Sequence, residues 1–200
     1  MKTVKKSLLL MISLLMLTLA AAGCGQSPAP AKPEAKPAPV GRIDQIKKNG
    51  KLILATGNYR PFEYHDEKTN KIIGYDIDVA EAIAKKIGVP LEIKEMQFTG
   101  LIPSLQNGQV DLVIAAMYIT PARKEVVDFA EPYMDTGMVL AVLKDNTTIK
   151  STKDLDGKVV GVKTGATSEK VAQEMKEKGA KIEIKSYKET VDYLLDLQNG

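Results

Sequence analysis

The sequence predicts an α/β protein with largely parallel sheet, divided into two similar lobes. Two observations carry this. From Arg42 onward, short β-rich runs alternate with helical stretches, the pattern left by strands joined through helical crossovers. In addition, Leu105-Gln106-Asn107-Gly108 recurs as Leu197-Gln198-Asn199-Gly200, each copy closing a helix that follows a strand and a helix. Asn-Gly is also a common helix stop, so the echo alone fits two unrelated terminators.

The elements follow in order. Residues 52–56 (Leu-Ile-Leu-Ala-Thr) form the first strand. Over 76–87, Ile77, Ala80, Ile83, Ala84 and Ile87 recur at helical spacing and line one face, stopped by Gly88 and Pro90. Residues 91–96 return as a strand, 101–107 are helical up to Gly108, and 111–115 form a short buried strand. Thr120-Pro121 then reads as a helix start leading into Arg123. The apolar run 137–143 is expected to be a crossover strand into the second lobe. There 158–162 begins the sheet, 168–178 is helical, 181–184 extended and 189–199 helical. The first Leu-Gln-Asn-Gly copy continues into a strand and the second ends the sequence, so the second lobe is expected to be truncated at its C-terminus.

At the amino end, Lys2, Lys5 and Lys6 precede an apolar run over 8–22, shorter than the roughly 20 residues a membrane span needs. It reads as a secretory signal. Cys24 is the sole cysteine and follows Ala21-Ala22-Gly23. Small residues before a lone cysteine resemble a bacterial lipobox, although its usual Leu is Ala21 here; the resemblance implies cleavage before Cys24 and lipidation of its thiol. The alternative is an ordinary signal peptide with an incidental cysteine, but such a thiol has no disulfide partner in an oxidising compartment. Residues 25–39 are nearly all Gln, Ser, Pro, Ala, Lys and Glu, too polar to bury a core, and read as an extended tether. The expected organisation is therefore signal peptide 1–23, lipidated cysteine and linker 24–40, first lobe 41–139 and second lobe 140–200.

Composition narrows the function. The net charge of +3 is inflated by the leader and tether, and no basic stripe is interleaved with aromatics, so no nucleic-acid partner is expected. Lys85-Lys86 and residues 176–178 read as solvated helix faces. His65 is the sole histidine, beside Asp66 in a polar stretch, and reads as solvated. With no second histidine and one cysteine, neither a Ser-His triad, a Cys-His pair nor a His/Cys metal cluster can be assembled. No catalytic residue, metal or cofactor is expected. Glu63 is the carboxylate to watch, with a position on the rim, or just behind the ligand-contacting residues, as its plainer reading.

The segment Phe98 to Tyr133 holds the densest candidate chemistry. An aromatic, Phe98, precedes the strand ending in Ala115-Ala116, and Tyr118 and Arg123 follow. A guanidinium matches a carboxylate with a planar fork of donors and stays charged at any working pH. After a strand's carboxyl end it stands where open α/β sheets hold ligands. Gly161 to Ser168 runs from a strand through small residues into a helix, whose first N–H groups attract anions. Its glycine spacing is not that of a nucleotide P-loop. Thr167 or Ser168 could equally serve as a plain N-cap.

This segment, together with Tyr59-Arg60-Pro61-Phe62-Glu63, Gly74-Tyr75-Asp76-Ile77-Asp78 and Val127-Asp128-Phe129-Ala130-Glu131-Pro132-Tyr133, resembles the family 3 extracellular solute-binding proteins. The resemblance spans Arg42 to Gly200. It implies a periplasmic-binding-protein-like fold of type II and a monomeric receptor that captures a polar amino acid by lobe closure and presents it to the permease of an ABC importer. Residues matching Arg123 and Thr167 then hold the ligand carboxylate from opposite lobes, with Ser168 beside them. Tyr59 and Phe98 cover the ligand side chain, while Ala115, Ala116 and Tyr118 lie on the ammonium side. Tyr118 departs from the small hydroxyl residue usual there. The loop before Tyr59 lacks the acidic residue of many cationic amino-acid binders, and the family's ammonium-binding Asp would lie beyond Gly200. Lys163 fits an acidic or amide side chain, or is simply solvated. Two other readings stay open: an enzyme on the same scaffold, such as a related dehydratase, and a surface sensor domain.

Overall fold

The computed structural model describes residues 41–200. The expectations for the leader, Cys24 and the tether lie outside the described residues.

The chain runs α1 (Arg42–Asn49), β1 (Leu52–Thr56), a small hairpin β2 (Tyr64–His65) and β3 (Ile72–Ile73), α2 (Tyr75–Ile87), β4 (Leu91–Glu95), α3 (Phe98–Gln106), β5 (Leu112–Val113) and α4 (Pro121–Lys124). A second group follows, with a 3-10 turn (Thr152–Asp154), β6 (Val159–Lys163), α5 (Thr167–Glu177), β7 (Glu183–Tyr187) and α6 (Thr190–Asn199). β1 is central in a parallel sheet of order β4-β1-β5. β6 and β7 form a separate parallel pair, registered Val159 to Glu183 through Lys163 to Tyr187.

Period-2 alternation along β1 decides its packing. Leu54 points to one side, where it packs with Ile77 and Ala80 of α2 and with Ile114. Leu52 packs with Ile46 and Ala84. Ala55 faces the other way, against Leu101 of α3, Val110 and Ala115. Each fully buried leucine stabilises the fold by about 1.5–3 kcal/mol. α2 ends as its sequence dictates: Gly88 is left-handed at φ 87°, and its N–H closes on Ala84 O. The second lobe has its own core of Leu155, Val162, Ala172 and Ile182. Thr56 Oγ1 donates to Ile114 O at 2.7 Å and ties the carboxyl ends of β1 and β5 together. That is the rim from which the site is built.

Several expectations are corrected. Residues 137–143 are not a strand; they have no ladder partner among the described residues and are exposed, Val139 at 90%. An apolar run becomes a strand only when a neighbour satisfies its N–H and C=O groups. The helix expected over 101–107 starts earlier, at Phe98, because Gly100 N–H donates to Gln97 O and tightens an extra turn ahead of Pro103. The strand expected over 111–115 narrows to Leu112–Val113, stopped by Ala116 at φ 45°. The one expected over 181–184 shifts to Glu183–Tyr187, because Lys181 N–H is taken by Asp156 Oδ1. His65 is not merely solvated: Nε2 contacts Glu95 Oε2 at 2.8 Å and Nδ1 contacts Asn70 O at 3.2 Å. The hairpin and α1 were not foreseen.

Candidate functional site

The loop after β1 folds back on itself before the hairpin. Tyr59 N–H donates to Glu63 O at 2.6 Å, Glu63 N–H returns to Tyr59 O at 3.1 Å, and the Tyr59 and Phe62 rings stack at 5.8 Å. This presents Tyr59 at the rim. Phe98 is held opposite as the first residue of α3.

Arg123 is placed by an N-capped turn. Thr120 Oγ1 accepts from Arg123 N–H, and Pro121 occupies the first helical turn, where its missing donor is harmless. The half-buried guanidinium then joins the lobes. Nη1 donates to Tyr118 O at 2.8 Å in the first lobe and to Thr167 Oγ1 at 3.3 Å in the second, and Nη2 donates to Gly165 O at 3.3 Å. It lies 5.4 Å from the Phe98 ring centroid. Burial pulls its pKa below the ordinary value, but a guanidinium remains charged.

Across the gap, α5 begins after Ala166, whose position at the N-cap gives no side-chain cap. Thr167 and Ser168 therefore do not cap their helix, and the Thr167 hydroxyl is engaged by Arg123. The preceding turn needs glycine: Gly165 has φ 74°, and a Cβ there would stand 2.7 Å from Thr99 Cγ2 of the first lobe. Two further bridges cross between lobes, Gln97 Nε2 to Glu189 Oε1 at 2.7 Å and Lys163 Nζ to Asn58 O at 3.2 Å.

Lys163 is buried at 7% exposure, which removes the solvated reading. Its Nζ lies 5.9 Å from the Tyr59 ring centroid and 5.7 Å from that of Phe98, so both rings face one cation. Burial lowers its pKa, and Glu189 and Glu63 oppose that.

Beneath the rim, Glu63, the carboxylate that the sequence singled out, meets Asp76, whose role sequence reasoning missed. Asp76, fully buried in the first turn of α2, accepts from Ala116 N–H at 2.6 Å and Tyr133 Oη at 3.1 Å through Oδ2. Glu63, 1% exposed, is buried behind the rim and not on it, and its carboxyl is pushed up to about 9, first by burial and then by the charge on Asp76. Burial is also the main cause raising Asp76 and Tyr133. For Asp76 the only signal was its place in Gly74-Tyr75-Asp76-Ile77-Asp78.

The cleft between the lobes has a volume of about 800 Å³. Tyr59, Phe98, Ala115, Ala116, Tyr118, Lys163, Thr167 and Ser168 all line it together with much of 137–149 and β6, whereas Arg123 is not among its lining residues and is turned to the protein oxygens named above. Among the described residues, no cluster of His, Cys, Asp and Glu could hold a metal ion, and no helix is long and apolar enough to cross a membrane.

Two α/β lobes with polar groups converging on a shared cleft define a two-lobe ligand-binding fold. Residues 52–194 match the profile of the bacterial extracellular solute-binding proteins, family 3, and the chain belongs to that family. It is similar to the arginine-binding extracellular protein ArtP of Bacillus subtilis, at 42% identity over 62% of this chain and 48% of that protein. A probable histidine-binding protein of Campylobacter jejuni is 35% identical over 76% of this chain and 58% of its own length. A crystal structure of an ancestral amino acid-binding protein, a precursor of cyclohexadienyl dehydratase, matches with TM-score 0.75 and 39% identity, covering 80% of this chain and 70% of that one. The fold is thus the two-lobe type II periplasmic-binding-protein architecture. The chain spans about half the length of the curated relatives it matches.

Proposed function

We propose that this chain is the binding portion of an extracytoplasmic receptor that closes two lobes around a polar amino acid and hands it to an ABC importer. The observation that carries this reading is the meeting of Arg123 with Gly165 and Thr167 at the start of α5, a cation from one lobe against an anion-favouring helix start from the other. A ligand carboxylate takes the two guanidinium donors now spent on those oxygens, with Ser168 N–H alongside. Closure completes that clamp, a hinge motion in which no bond is made or broken. The Tyr59 and Phe98 faces cover the side chain, and the segment after β5, with Ala115, Ala116 and Tyr118 on the cleft, serves the ammonium.

Lys163 sets the side-chain preference. A buried ammonium between the two rings repels a cationic side chain and donates to a carbonyl or carboxylate, so the ligand is an amide or acidic amino acid. A thermal-shift screen of the full-length protein against the common amino acids tests this, because a ligand that binds only the folded state raises apparent stability. Glutamine or glutamate should give the largest shift. Stabilisation by no amino acid would refute the receptor reading, and a largest shift with arginine or lysine would refute the role of Lys163.

The importer partner, the monomeric state and the lipid anchor at Cys24 belong to the same proposal. Cys24→Ser should move the protein from the membrane to the soluble fraction in cell fractionation; retention on membranes would exclude the anchor.

A further inference from the structure

Asp76 Oδ1 and Glu63 Oε2 are both buried and have no donor in the structure. Two carboxylates offer each other none, because an ionised carboxylate only accepts. One proton resolves both at once: the Asp76 N–H to Phe62 O bond sets the two acids beside each other, and a protonated Glu63 donates to Asp76. Other groups do not substitute. Tyr133 is spent on Asp76 Oδ2 and Ala116 N–H on the same oxygen, and the Lys163 ammonium, bonded to Asn58 O, does not reach Glu63 Oε2. Tyr59 also faces Glu63, and Glu189 faces Lys163.

The pair lies between two cleft walls without lining the cleft itself. On one side the Glu63 main chain is doubly bonded to Tyr59. On the other, Asp76 grips Ala116, a non-glycine residue at φ 45°. A left-handed alanine persists only when its surroundings over-determine it. The 2.6 Å bond to Asp76 is the contact that does so.

We propose that Glu63 and Asp76 share a single proton and act together as the positioning unit that holds the Ala116 main chain and the Tyr59 loop in their cleft-facing geometry. The bearing on a ligand rests on the receptor reading above, whereas the shared proton does not. When the proton is lost, two like charges face each other in a buried site, and the grip on Ala116 loosens. Because the folded-state value of Glu63 lies above its ordinary one, folding favours the protonated form. Stability therefore declines as pH rises from about 4.5 towards about 9.

The test needs no ligand, so its failure is distinct from failure of the receptor reading. In the full-length protein at neutral pH, the infrared difference spectrum of wild type minus Glu63→Gln should show the C=O stretch of a protonated carboxyl. The backbone carbon resonances of Ala116 should titrate with a midpoint near 9. Glu63→Gln, whose amide donates without titrating, should keep the neutral-pH Ala116 resonances and abolish both that titration and the decline in stability between about pH 4.5 and about 9. Asp76→Asn is the second variant: its amide donates to an ionised Glu63, so the carboxyl band should vanish at neutral pH. Absence of the band from wild type, its persistence in Asp76→Asn, or an Ala116 titration unchanged in Glu63→Gln would overturn the shared proton.

Discussion

Arg123→Ala is expected to weaken amino-acid binding by more than about a hundredfold, close to 2.8 kcal/mol at 1.4 kcal/mol per factor of ten. Each hydrogen bond to a charged group contributes about 1.5–3 kcal/mol, and a bidentate carboxylate loses two. The guanidinium also carries the Thr167 and Gly165 contacts and lies over Phe98, so its removal loosens the closed form besides. Arg123→Lys keeps the charge without the fork and should fall between wild type and Ala. Calorimetric titration of the full-length protein reads the difference. Equal affinity in wild type and Arg123→Ala would remove the residue from the site.

Gly74→Ala is expected to be among the most destabilising single substitutions, by at least about 3 kcal/mol. Gly74 has φ 129° and ψ 177°, a conformation essentially confined to glycine. A Cβ would lie 2.3 Å from Phe62 O and 2.7 Å from Pro61 O, both rigid backbone atoms. Relief requires pulling the chain away, which breaks Tyr75 N–H to Pro61 O and Asp76 N–H to Phe62 O. Those bonds launch α2 and position Asp76 under Ala116. Urea unfolding measures the loss; a midpoint and slope equal to wild type would show that the strand-to-helix turn relaxes freely.

The parts of this fold legible in the sequence are those written in local periodicity. Ile77, Ala80, Ile83, Ala84 and Ile87 form a stripe that any partner would bury, and α2 follows it with Gly88 as its stop. β1 is equally local. Residues 137–143 are as apolar as β1, yet hydrophobicity cannot supply the neighbour whose backbone completes a ladder. The hairpin was invisible because Tyr64–His65 and Ile72–Ile73 are each too short to show alternation.

Within the site, the convergence of Arg123 and Thr167 was expected from family resemblance and not from spacing, since 44 residues separate them. Burial of Lys163 at 7% could not be read from a lysine flanked by Val162 and Thr164. The Glu63 and Asp76 pairing depends on the Gly74 turn, which folds Asp76 back beside the Phe62 carbonyl. No periodic signal encodes such a turn.

A crystal structure of the full-length protein with its amino acid bound tests the carboxylate clamp most directly. The ligand carboxylate should lie within hydrogen-bonding distance of both Arg123 Nη atoms and of a main-chain N–H at Thr167 or Ser168. A carboxylate seated elsewhere, with Arg123 still turned to Gly165 and Thr167, would contradict the clamp and the receptor mechanism built on it.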